Sequence, residues 1–86
     1  MLAKIYITLK DGILDPPGKT VQQALTSLGY ANVEDVRIGK YVLVRFKNGE
    51  RTDLEDQTRQ MCEKLLANPV IESFSFEIVE NPEREK

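Results

Sequence analysis

The sequence predicts an α+β protein of order β-α-β-α-β. Its central strand is long, and its ferredoxin-like two-layer sandwich is completed by a partner chain in a homodimer. Three observations carry this expectation. Period-two alternation marks half-buried strands at both ends of the chain, two segments of helical periodicity lie between them, and the run DVRIGKYVLVRF, residues 35–46, alternates through its Gly-Lys pair. At 86 residues the chain makes one domain, placed at 1–80, with a charged tail at 81–86 expected to be disordered. So short a chain buries a modest fraction of its surface, which favours help from a partner.

The first strand is AKIYITLK, where Ala3, Ile5, Ile7 and Leu9 share one face and Lys4, Tyr6, Thr8 and Lys10 the other. DGILDPPG then breaks the pattern, and Asp15 before Pro16 reads as an N-cap with proline in the first helical turn. Pro17, Val21, Ala24, Leu25 and Leu28 recur on one helical face, and Gly29 supplies a left-handed stop. After the central strand, KNG signals a turn, and Thr52-Asp53-Leu54-Glu55 has the form of a capping box. The second helix carries an apolar stripe of Leu54, Thr58, Met61, Cys62, Leu65 and Leu66, and ends at Asn68-Pro69. The last strand is expected over 70–79, with Val70, Phe74, Phe76 and Ile78 on its apolar face.

Two readings compete for Gly39-Lys40. A two-residue hairpin would pair Ile38 with Tyr41 and Arg37 with Val42, which mixes apolar and charged residues on both faces. A chain that runs straight puts Val36, Ile38, Val42, Val44 and Phe46 on one face, interrupted only by Lys40. The straight reading is better patterned, and gives a strand over about 33–47. Such a strand keeps the two halves of the chain from closing on each other. A two-fold dimer, crossing at Gly39, gives each half its complement.

Composition excludes several functions. With 12 basic and 14 acidic residues the net charge is −2, and the basic residues are interleaved with acids, so no nucleic-acid face is expected. The N-terminus alternates and carries Lys4, which is neither a signal peptide nor a span, so no membrane is expected and the location is read as cytoplasmic. There is no histidine, and Cys62 is the single cysteine. Most zinc sites and the Ser-His and Cys-His nucleophiles are thereby removed. Cys62, on the apolar stripe, reads as a buried structural thiol. Asp53, Glu55 and Asp56 read as first-turn partners of the helix dipole rather than metal ligands. DGILDPPG lacks the spacing of a phosphate-binding loop. No catalytic residue, cofactor or metal is assigned. Lys40 is the exception worth following, a charge on an apolar face, flanked by Arg37 and Tyr41, residue types enriched at interfaces. These three are the candidate partner-binding residues.

DPPGKTVQQALTSLGY, VEDVRIGKY and CEKLLANPVIE, in this order, resemble the motifs of the PurS family, the small subunit of phosphoribosylformylglycinamidine synthase. The resemblance covers residues 2–79, with Pro17 standing where a polar residue is usual. It implies an accessory role in de novo purine biosynthesis without a catalytic site of its own. It implies homo-oligomers, dimer or tetramer, bridging the ATP-dependent synthetase subunit PurL and the glutaminase PurQ so that ammonia passes between them. Without the resemblance, the leading alternative is a small ferredoxin-like ligand-sensing module, whose melting temperature a ligand would raise.

Overall fold

The structure, a computed structural model, describes residues 1–80, and the expected disordered tail lies outside the described residues. Its elements are β1 (Leu2–Leu9), α1 (Pro16–Ser27), β2 (Lys40–Arg45), α2 (Arg51–Met61) and β3 (Glu72–Val79). They form the expected α+β order. The sheet is antiparallel with β1 in the centre, in the order β2-β1-β3.

The alternation of β1 sets the core. Ile5 lies between Val42 and Phe76, and Ala3 between Val44 and Ile78, so the apolar residues of three strands fall on one face. That face meets Cys62 and Ala67, with Leu66 packed at its margin. Leu54, Thr58 and Cys62, each four residues on, are the buried line of the second helix, and the Thr58 hydroxyl satisfies itself by donating to the Leu54 carbonyl at 2.7 Å.

Local chemistry moves some boundaries. The helix begins at Arg51 behind Glu50, so Thr52 falls inside its first turn and the expected capping box does not form. Gly49, at φ 128°, and the extended Glu50 turn the chain before Thr52 is reached. At its other end α2 runs into a π-helical turn, Cys62–Leu66, closed by the Ala67 N–H on the Cys62 carbonyl at 3.0 Å. The wider turn rotates Leu65 out of its expected stripe, leaving it 82% exposed. Val70 also leaves its expected face. The Asn68 side chain accepts from the Val70 N–H at 3.0 Å, which holds Val70 in a turn before β3 begins at Glu72.

No hairpin forms at Gly39-Lys40, since β2 pairs with β1 and none of 33–39 belongs to a strand. The regular part of the expected 33–47 strand is accordingly Lys40–Arg45. Residues 33–38 bond to α1 and to the loop before it instead. Gln22 Nε2 donates to the Glu34 carbonyl at 3.1 Å, and a Cβ on Gly18 would lie 2.3 Å from the Val36 carbonyl oxygen. Gly29, at φ 107°, ends α1 as expected, with the Tyr30 N–H on the Leu25 carbonyl and the Gly29 N–H on the Thr26 carbonyl.

This pairing makes an arm. α1 packs extensively on neither the sheet nor α2, and the described residues measure 48 × 33 × 15 Å. The radius of gyration is 16.3 Å, against about 12 Å for a compact chain of this length. Among the described residues, Val21, 38% exposed, and Leu28, 74% exposed, lie on the apolar face of α1 and stay open to solvent.

Candidate assembly surface

The arm is joined to the sheet through Asp15, which is 7% exposed. Its Oδ1 accepts from the Gly18 N–H at 3.0 Å as the N-cap of α1, and its Oδ2 accepts from the Ile38 N–H at 2.8 Å. These two bonds, Ile38 first, and then the Arg37 charge hold the carboxyl below its usual range, against the opposing effect of burial. A folded pKa below the unfolded one means that the stabilisation is fully present above about pH 4 and is lost as pH falls through the folded value. Wild type is expected to lose its advantage over Asp15→Asn as pH drops below about 4, in urea midpoints followed by circular dichroism. A difference that stays constant into strong acid would refute this.

The three sequence-predicted residues are not brought into one patch. Arg37 turns back on its own chain, donating to the carbonyls of Leu9 at 3.2 Å, Lys10 at 3.0 Å and Ile13 at 3.3 Å. Lys40 stands opposite Ile7 on the apolar face, and its Nζ lies 3.3 Å from Glu72 Oε2, across the central strand. The acid it meets is on its own chain. Glu72 also accepts from the Asn68 N–H at 2.7 Å, and that bond first, then Lys40, holds its carboxyl below the usual range. Tyr41 is on the other face of the sheet, 53% exposed, stacked on Tyr6 with ring centroids 5.3 Å apart. Tyr6 donates to Glu77 Oε2 at 2.9 Å, and this bond is the main cause of its raised phenol pKa.

Two features lay beyond sequence reasoning. The outer edge of β2 has no strand beside it among the described residues. Next to it runs an apolar groove of about 460 Å³ between Val44 and Gln57, Met61, Lys64 and Leu65. The exposed position of Leu65 follows from the π-helical turn, for which the sequence carries no signal. Cys62 is fully buried, burial pushes its thiol up, and no group of three or more His, Cys, Asp or Glu among the described residues could hold a metal. No described helix is long and apolar enough to cross a membrane.

An unpacked amphipathic helix, an open strand edge and a groove beside it define a small α+β subunit built to associate. Comparison with known proteins gives the particular kind. The profile of the PurS family, described as phosphoribosylformylglycinamidine (FGAM) synthase, matches residues 2–80. The chain is 49% identical over 77 residues to the phosphoribosylformylglycinamidine synthase subunit PurS of Bacillus subtilis (strain 168), covering 90% of each. It superposes on the crystal structure of Methanocaldococcus jannaschii PurS, one of the subunits of formylglycinamide ribonucleotide amidotransferase in the purine biosynthetic pathway. That match has a TM-score of 0.83 at 34% identity, over 94% of this chain and 98% of that one. A chain in the structure of PurLQS from Thermotoga maritima matches with a TM-score of 0.76 at 25% identity, over 90% and 96%. The chain belongs to the PurS family.

Proposed function

We propose that this chain is the small, non-catalytic subunit of a glutamine- and ATP-dependent phosphoribosylformylglycinamidine synthase in the cytoplasm. It bridges a PurL synthetase and a PurQ glutaminase and supports the passage of ammonia between them. Family membership supports the enzyme, and the Thermotoga PurLQS structure supports the two partners. The observation that carries the bridging role is the arm, whose apolar face the described residues leave partly open.

A second copy covers it first. In a two-fold dimer, α1 of one chain lies in the groove beside α2 of the other, and 33–39 lies along the open edge of β2. The remaining surface serves the larger subunits, with Tyr41 in direct contact, Lys40 at the crossing and Arg37 acting through the arm. Ammonia released into water is largely protonated and lost as a nucleophile, so a subunit that holds donor and acceptor sites together raises the yield of amidine. The test is glutamine-dependent amidine formation by PurL and PurQ with and without this chain, together with its mass in solution. Activity that needs a dimeric or larger form of this chain is expected. Full activity without it, or a monomer at all concentrations, would overturn the proposal.

A further inference from the structure

We infer that Asp15 and Arg37 are the positioning residues of assembly, fixing the direction in which the α1 arm leaves its own sheet and so its register on a second copy. The inference rests on the reading of the arm as the element that completes another chain. With little packing of α1 on the sheet or α2, the arm is held at its root. The root is polar and has two tethers. Asp15 ties the first turn of α1 to Ile38, two residues ahead of β2. Arg37 ties the same segment to the carbonyl end of β1 at Leu9 and Lys10, and to the loop at Ile13.

Every partner in both tethers is a backbone atom, so their lengths and directions are set by the main chain. Apolar contact alone is non-directional and would let the arm swivel, whereas hydrogen bonds weaken steeply once bent. Neither side chain has a substitute that keeps both its charge and its hydrogen-bonding geometry. Lysine at 37 is a point charge without the planar fork that spans three carbonyls, and asparagine at 15 sets an NH₂ against one of two N–H donors. The close approach of Gly18 to Val36 leaves no room for a bulkier way of joining the same segments.

Spin labels on Gln23→Cys in α1 and Ser73→Cys in β3, in labelled chains diluted into unlabelled ones, measure the angle of the arm. Cys62 stays unlabelled because it is buried and its thiol pKa is raised. A single narrow distance is expected with the native pair. Asp15→Asn and Arg37→Lys are each expected to broaden it and to raise the dimer dissociation constant by about tenfold or more. Hydrogen exchange on the amides of β1 and β3, scaled to the global stability that the urea midpoint gives, should be unchanged in both variants. Unchanged distances and dissociation constants in both would overturn the inference while leaving the dimer intact. Loss of sheet protection alongside would also overturn it, as a general role in folding. A monomeric wild type would instead overturn the reading on which it rests.

Discussion

Replacing Val21 by aspartate is expected to convert the proposed dimer to a monomer that keeps its sheet, and to abolish glutamine-dependent amidine formation in the reconstituted enzyme. Val21 sits in the middle of the apolar face of α1, 38% exposed within its own chain, so a carboxylate there still reaches water. In the helix itself aspartate costs about 0.7 kcal/mol or less relative to alanine. In the groove of a second copy, where the proposed dimer seats α1 among Val44, Met61 and Leu65 with Lys64 beside them, the carboxylate loses its water and has only Lys64 to meet, an attraction that does not repay the desolvation. A net cost of about 3 kcal/mol for such a burial raises a dissociation constant by roughly two orders of magnitude. The association term therefore outweighs the helical one several-fold. Sedimentation and circular dichroism on the same sample separate them. A Val21→Asp chain that stays dimeric at wild-type affinity would mean that α1 docks nowhere.

How far the fold was legible follows from what a residue pattern encodes. Alternation reports faces, and the faces were right: Val42 and Val44 lie with Ile5 and Ala3 in the core, and Lys40 lies on that same side opposite Ile7. It does not report partners. A strand that pairs in the sheet and a segment that lies outside it alternate alike, so residues 33–39 could not be told from Lys40–Arg45. Helix ends were readable where a backbone conformation demands a residue type, as at Gly29. They were misread where a competing turn decided, as at Thr52 behind Gly49 and Glu50. Leu65 was assigned to the core because helical spacing assumes 3.6 residues per turn, and the π-helical turn breaks that phase.

The candidate site was half legible for a related reason. Asp15 could be read as an N-cap because its first acceptor role is local, three residues away from Gly18. Its second role, to Ile38, spans 23 residues, and the targets of Arg37 are carbonyl oxygens that every residue carries. A side chain that binds a generic backbone atom leaves no complementary residue to find. Tyr41 was read correctly as opposite in face to Lys40, yet its stacking on Tyr6 depends on the register of β1 with β2, which tertiary pairing sets.

Gly39→Val is expected to damage the chain's own fold severely, and it tests how closely the start of β2 approaches β1. Valine is favoured in strands, and by propensity alone it would help by up to about 1 kcal/mol. The space decides otherwise. A Cβ at 39 would lie 2.5 Å from the Ile7 carbonyl oxygen and 2.8 Å from Thr8 Cγ2. Thr8 can rotate aside, but the Ile7 carbonyl belongs to the central strand and cannot withdraw without breaking its ladder. Forcing the backbones apart there costs about 3 kcal/mol, at the upper end of overpacking penalties, and valine adds two further carbons to the collision. The damage should spread to the neighbouring Ile7–Lys40 pair and to the Lys40–Glu72 ion pair beside it. Gly12→Ala is the control, since Gly12 stands in open space at φ 86° and carries only a local backbone penalty of about 1–2 kcal/mol. Urea midpoints at one fixed protein concentration are expected to fall further for Gly39→Val than for Gly12→Ala, with faster exchange of the β2 amides. A Gly39→Val chain as stable as wild type would mean that strand propensity wins and that β2 does not start hard against β1.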